Sequence, residues 1–274
     1  MRKGTARIMS KIEITEEAHW DWVKISLGRG NAVGPEFLNQ LDAALKRMSI
    51  VQEEGPARPI ILTGYGDFFS AGLDISILSS YNREELNLFL NRFQEVFLNL
   101  ACCPRPTVAA VNGHAVGAGC LLLLACDRRI AEQALASSGR PYHIGMKVSA
   151  LGVPLPPFAA TLVRTSLESL THRLNLTLTG DLFPPGDAQQ MGMVDRVAGV
   201  GELREAAEKE AARLTHSTGR TAALLKSQMK LELYQSMEQE PDNNPFLDAW
   251  YSAETQRRLG RVLEKLHNNG KGGE

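Results

Sequence analysis

A chain of 274 residues with 30 basic and 31 acidic side chains is long enough for one large α/β domain plus a smaller appendage, and its charges nearly cancel. That balance argues against nucleic acid or an anionic membrane as a partner. Cys120 to Cys126, the longest apolar run, is far too short to span a bilayer, Met1-Arg2-Lys3-Gly4 leads into no apolar signal core, and four cysteines that include the adjacent Cys102 and Cys103 fit reduced core thiols of a cytoplasmic protein better than a disulfide framework.

In chain order, Ile12 and Ile14, then Val23, Ile25 and Leu27, alternate at period two and predict a hairpin. Gly28-Arg29-Gly30-Asn31 breaks it, and Gly34-Pro35 opens a helix with Phe37, Leu38, Leu41, Leu45 and Met48 on one face. Glu53 to Pro59 reads as a loop and Ile60 to Thr63 as a strand, followed by a turn at Gly64 to Phe69 and a helix start at Ser70 to Ile75. Glu84 to Leu100 places Leu86, Phe89, Phe93, Val96 and Leu100 at helical spacing, and Pro104 and Pro106 end that helix. Thr107 to Val111 then reads as a buried strand, Asn112 to Gly119 as a glycine turn and Cys120 to Cys126 as a buried helix. Strand, crossover helix and strand in this order predict right-handed parallel connections.

Asp127 to Ala131 reads as a strand, Ala134 to Pro157 as irregular, Phe158 to Leu170 and Phe183 to Met191 as short helices, and Met193 to Val197 as a last strand. From Glu202 the pattern is helical: alanine-rich to Leu214, then Thr221 to Met237, then a final helix with Leu259, Val262, Leu263 and Leu266 on one stripe, before a Gly/Asn tail from Asn268.

A strand, a glycine turn and a helix start leave backbone N–H groups available to a negative charge. This grammar occurs twice, at Ile60 to Ile75 and at Thr107 to Cys126, so two such ends can face one oxyanion. The plainer reading is that glycine turns merely join strands to helices.

Phe69-Ser70-Ala71-Gly72-Leu73-Asp74-Ile75, followed by Ala109-Ala110-Val111-Asn112-Gly113-His114-Ala115-Val116-Gly117-Ala118-Gly119 with Cys126-Asp127, resembles the crotonase superfamily of enoyl-CoA hydratases and isomerases. The likeness extends to Arg29-Gly30-Asn31-Ala32-Val33, to Leu178-Thr179-Gly180 and to Met191-Gly192-Met193-Val194-Asp195. The resemblance implies an α/β fold: a crotonase-like ββα spiral over residues 1–200 and a C-terminal helical trimerisation region over 201–274. It implies an acyl-CoA ligand, assembly as a homotrimer or a hexamer, and no cofactor beyond the coenzyme A thioester itself. By position, the N–H groups of Ala71 and Ala118 would form the oxyanion hole, and Ala71, Gly72, Leu73, Asp74, Ile75 and Ala118 would contact the CoA thioester.

The two glutamates of the family hydratases would fall at Leu121 and Val148. No Asp or Glu lies between Gly113 and Asp127, nor between Glu132 and Glu168, so a general base of the usual kind is absent from both segments. Two functions stay open: an enoyl-CoA hydratase/isomerase family enzyme that stabilises a thioester enolate but hydrates weakly, or a non-catalytic acyl-CoA-binding or assembly homologue.

The other reactive side chains are weaker candidates. His114 reads as a turn histidine, and Tyr142 and His143 either reach the acyl pocket as titrating groups or sit in a solvated loop. Cys120 in an apolar helix reads as a core thiol, Asp74 as a helix cap, and Ser70 lacks a nucleophile elbow. The six histidines show no paired ligand spacing, so no metal site is expected.

Overall fold

The computed structural model describes residues 11–51 and 54–271. Met1-Arg2-Lys3-Gly4 and Glu53, the first residue of the expected loop, lie outside that range.

Strands β1 (Lys11–Glu16) and β2 (Asp21–Ser26) form the expected hairpin, with Ile12 opposite Ile25 and Ile14 opposite Val23. Helix α1 (Pro35–Met48) follows and buries its predicted apolar face. Three strand–strand–helix turns come next. The first is β3 (Ile60–Thr63), β4 (Phe68–Ser70), the short α2 (Ile75–Leu78) and the long α3 (Arg83–Ala101). The second is β5 (Thr107–Val111), β6 (His114–Val116) and α4 (Ala118–Leu124). The third is β7 (Arg128–Glu132), β8 (Ile144–Gly145) and α5 (Val148–Leu151). Helices α6 (Pro157–Ser166) and α7 (Leu170–Leu174), a π-helical turn at Asn175–Thr179, β9 (Leu182–Phe183), α8 (Pro185–Gln190) and β10 (Arg196–Ala198) complete the core.

Each turn of the chain gives one strand to each of two sheets. The first sheet runs β1-β2-β3-β5-β7-β10 and is parallel from β2 onward; the second runs β4-β6-β8-β9. This is a ββα spiral. The first sheet is covered on both faces, as a parallel sheet must be: Ile60, Leu62, Ala109 and Val111 point into the main core, while Ile61, Val108 and Ala110 meet Ala206, Ala207 and Ala211 of α9 (Leu203–Arg213).

The second sheet is where the expected and observed structures part. Gly64 to Phe69 reads as a turn and Ser70 to Ile75 as a helix start, yet β4 spans Phe68–Ser70 and α2 opens only at Ile75, while the expected turn Asn112 to Gly119 contains β6; the two strands pair in parallel from Phe68 and His114. Three-residue strands carry no periodic signal, so only their partners reveal them. The expected helix at Phe158 to Leu170 divides at Leu167, and that at Thr221 to Met237 divides at Lys230 into α10 (Gly219–Met229) and α11 (Leu231–Met237). Helix α12 (Asn244–Trp250) precedes α13 (Ala253–Lys271), which runs on through the expected Gly/Asn tail at Asn268.

A charged cluster ties the C-terminal helices to the spiral. Asp127, between α4 and β7, meets Lys226 of α10 at 2.6 Å and Lys230 at 2.5 Å, and also accepts from the Thr107 N–H at 2.7 Å. Burial pushes the Asp127 carboxyl up, but the two ammonium groups outweigh it and hold its pKa below the usual value. A depressed folded pKa stabilises above the unfolded pKa of about 3.9 and loses that stabilisation as pH falls through the folded value. Asp21, held by Arg58 and Arg105, and Asp42, held by Lys46 and Arg92, shift in the same direction. Stability is therefore expected to stay level from pH 7 to 5 and to fall below about pH 4 in thermal melts. Asp127→Ala strands two lysines in a half-buried site and is expected to cost about 3–5 kcal/mol in urea unfolding. A loss under 1 kcal/mol would show that the cluster is not what holds α10 and α11.

Candidate functional site

Three loops converge at the top of the two sheets. In the first, Gly28, Gly30 and Asn31 all take positive φ, at 51°, 66° and 54°. Asn31 affords this conformation because its side chain is fully used: Oδ1 accepts from the Leu27 N–H at 2.8 Å, and Nδ2 donates to the carbonyls of Phe68 and Phe69 at 3.3 and 3.2 Å. Ser70 Oγ donates back to the Asn31 carbonyl at 2.7 Å. The first loop thus grips the second.

The second loop, Ser70 to Asp74, is held along one edge. Ala71 N–H donates to the Gly30 carbonyl at 2.8 Å, Val33 N–H donates to the Gly72 carbonyl at 2.7 Å, and Asp74 N–H donates to the Val33 carbonyl at 3.0 Å. Because Gly72 C=O and Asp74 N–H both face Val33, the intervening Leu73 N–H faces the opposite way. It has no hydrogen-bond partner among the described residues. The expected oxyanion donor Ala71 is therefore corrected on this point: its N–H is already committed to Gly30, and the open donor lies two residues on.

The third loop closes over the second at a glycine. Gly72 has φ +97°, and a Cβ there would lie 2.6 Å from the Val116 carbonyl and 3.5 Å from the Ala118 nitrogen. Gly117 takes φ 58° and donates to the Gly145 carbonyl at 2.8 Å, turning the chain into α4. Ala118 N–H opens that helix and, like Leu73 N–H, is unpartnered among the described residues.

Leu73 and Ala118 line one cavity of about 120 Å³. Ala71, Gly72 and Ile75 also line it, whereas the side chain of Asp74 does not: it caps α2 by accepting from the Ile77 N–H at 3.2 Å. Leu121 and Val148 both line the cavity, joined by Phe93, Phe246 and Trp250. Among the described residues, Lys147 is its one ionisable lining residue, and no Asp or Glu contributes. The aromatic wall from α3 and α12 has no motif of its own, and sequence reasoning missed it; helical spacing marks Phe93 as core and says nothing of the space beside it. A larger cavity of about 330 Å³ near Arg47, Arg58 and Arg105 lies away from the glycine loops, and its three arginines are paired with Asp21 and Glu16, which also line it.

The remaining candidates stand apart from this cavity. Tyr142 is fully buried and donates to the Val111 carbonyl at 3.1 Å, and burial raises its pKa far above the usual phenol value. The solvated-loop reading of Tyr142 is thereby overturned, and it does not line the acyl cavity. His143 N–H donates to His114 Nδ1 at 3.3 Å, and the rings stack with centroids 5.8 Å apart. Burial, then the neighbouring His143, lowers the His114 pKa, consistent with a neutral ring accepting a hydrogen bond. Cys120 is fully buried, with its thiol pushed up to about 12 by burial, and all four cysteines are buried and free. Among the described residues no three His, Cys, Asp or Glu gather as a metal site, and no helix is long and apolar enough to cross a membrane.

Comparison with known proteins places this architecture. Residues 22–269 match the Enoyl-CoA hydratase/isomerase family. The mitochondrial enoyl-CoA delta isomerase 1 of Rattus norvegicus is 28% identical over 241 residues, covering 86% of this chain and 80% of its own. The short-chain-enoyl-CoA hydratase of Clostridium acetobutylicum is 32% identical over 181 residues, covering 64% and 66%. Among solved structures, human mitochondrial delta3-delta2-enoyl-CoA isomerase superposes with a TM-score of 0.82 at 24% identity, over 94% of this chain and 99% of its own. An enoyl-CoA hydratase from Bacillus halodurans reaches 0.78 at 22% identity, over 92% and 100%. With its sequence matched over nearly the whole length and its ββα spiral shared with these structures, the chain belongs to the enoyl-CoA hydratase/isomerase family of the crotonase superfamily.

Proposed function

We propose that the cavity binds the acyl group of a coenzyme A thioester, with the thioester oxygen held by the N–H groups of Leu73 and Ala118. The observation that carries this is the pair of unpartnered backbone donors from adjacent loops lining one apolar cavity. Such a pair is preorganised for a developing enolate oxygen, and each donor contributes on the order of 3 kcal/mol at an oxyanion. Gly72, Leu73, Ile75 and Ala118 would border the thioester, and Ala71 would position the loop through Gly30.

Leu121 and Val148 occupy the two places where family hydratases carry their acid and base. A cavity with no carboxylate in its wall favours weak hydration at most, and equally supports the second reading, a non-catalytic acyl-CoA-binding or assembly homologue. Assembly as a homotrimer or hexamer is supported by Leu224, Leu225, Met229 and Leu231, which leave an apolar strip more than half exposed on α10 and α11. A cytoplasmic location fits the free cysteines.

Isothermal calorimetry with acetyl-CoA and a nonhydrolysable thioester mimic tests the ligand. Saturable heat, lost in competition between the two, is expected. No heat at millimolar ligand would overturn the reading.

A further inference from the structure

Beside the glycine loops, two helices wall the cavity: Leu90 and Phe93 come from α3, Phe246 and Trp250 from α12. The α3 side is locked by packing, since the Phe93 ring meets Phe97 and Phe158 edge-on, with centroids 4.4 and 5.0 Å apart. Helix α12 has seven residues, too few to hold a helix without tertiary partners. Its start is set against α3 by one buried side chain.

Asn243 is 3% exposed and stands at the N-cap position of α12, yet its side chain does not cap the helix. An asparagine there ordinarily accepts from the first turn. Instead Asp242 accepts from the Asn244 N–H at 3.0 Å, and the Asn243 side chain crosses to α3, where Nδ2 donates to Asn87 Oδ1 at 3.0 Å and to Asn91 Oδ1 at 2.7 Å. Asn87 and Asn91 lie one turn apart, and the buried Gln94 continues their stripe by donating to the Gln239 carbonyl at 3.4 Å. A satisfied buried polar network fixes one arrangement of the elements it joins. Arg83 also reaches α12, at Asn244 (3.0 Å) and Asp248 (2.7 Å), but through exposed side chains, a contact worth little. The far end of α12 is tied separately: Gln256 donates to the Trp250 carbonyl at 2.7 Å, and the Tyr251 hydroxyl donates to the Tyr81 carbonyl at 2.8 Å.

Resting on the reading that the cavity holds an acyl thioester, we propose that Asn243 is a positioning residue that determines specificity. By clasping Asn87 and Asn91 it sets how far α12 stands from α3, and so how wide an acyl group fits between Phe93 and the stacked Phe246 and Trp250. The cavity's volume of about 120 Å³ lies below the roughly 300 Å³ of a small ordinary ligand site, so a slight outward turn of α12 changes the space in large proportion. Phe246 and Trp250 touch the acyl group, and Asn243 acts through them.

Calorimetry with acetyl-CoA and the bulkier phenylacetyl-CoA tests the proposal. The net worth of two neutral hydrogen bonds limits the effect, so Asn243→Ala is expected to shift the ratio of the two affinities about 10-fold toward phenylacetyl-CoA. Trp250 emission, read in a Trp20→Phe/Trp22→Phe background, is expected to move to the red as the wall opens, with circular dichroism unchanged. Asn91→Ala, at a half-buried site, repeats the test should Asn243→Ala fold poorly. Asn91→Asp keeps an oxygen to accept from Asn243 Nδ2 and is expected to retain the wild-type ratio, which a general loosening of the fold would not predict. Folded alanine variants with the wild-type ratio and emission, or an Asn91→Asp protein that behaves like Asn91→Ala, would overturn the clasp and leave the thioester reading standing. Failure of acetyl-CoA to bind the wild-type chain would instead overturn the thioester reading, and this inference with it.

Discussion

Gly119→Ala is expected to reduce acyl-CoA affinity by about 100-fold or more and to lower the melting temperature by several degrees. A Cβ at this glycine would lie 2.2 Å from the Ser70 carbonyl oxygen and 2.8 Å from its carbon. Neither partner can yield cheaply. Ser70 ends β4 and is pinned to Asn31 through its hydroxyl, and Gly119 lies in the first turn of the buried α4. Overpacking of this kind costs about 1–3 kcal/mol. The functional loss is larger, because relief comes only by parting the loops that carry Leu73 and Ala118, and a shift of about 1 Å at reacting groups costs on the order of 10²-fold. Gly186→Ala is the control: nothing lies within 4 Å of its Cβ, and its effect is expected to stay within about 0.5 kcal/mol. Calorimetry and thermal melts on both variants decide the matter. Wild-type affinity in a folded Gly119→Ala protein would mean that the two loops do not act as one cradle.

Crotonyl-CoA hydration by the wild-type chain is expected to run about 10²- to 10⁴-fold or more below that of an ordinary family hydratase. That range is the contribution of a positioned acid or base, and the cavity wall supplies no carboxylate at Leu121 or Val148. The double variant Leu121→Glu/Val148→Glu is expected to raise the rate, since both side chains already line the acyl cavity. Leu121 is only 4% exposed, so burial and the neighbouring carboxylate would push one of the new groups upward in pKa, as a general acid requires. A pH–rate profile with an arm above the normal carboxylate range would report that shift. Circular dichroism separates lost folding from lost chemistry. Wild-type turnover at the level of an ordinary hydratase would overturn the first expectation, and a folded double variant without gain would overturn the second.

How far the site was legible depended on the range of the interactions that build it. The two glycine loops, the helix cap at Asp74 and the buried cysteines were readable because each follows from local spacing or composition. The choice between Ala71 and Leu73 was not. A strand–turn–helix pattern shows that amides are near a helix start, but it does not show which one another loop already occupies; here the Gly30 carbonyl takes Ala71, and Val33 orients Leu73 outward. The π-helical turn at Asn175–Thr179 was likewise hidden, because local spacing does not show that Leu170, Leu174 and Leu178 stay exposed.

By itself, the order of residues determined the parallel strand–helix rhythm, the family resemblance and the lack of acidic residues in two segments, all of which reside in composition and near-neighbour spacing. Tertiary structure alone decided that each spiral turn splits its strands between two sheets, that Leu73 rather than Ala71 keeps an open N–H, and that Leu121 and Val148 share one apolar wall. These outcomes depend on backbone groups pairing across distant loops. A hydrogen bond satisfied from far along the chain leaves no mark on the residues beside it.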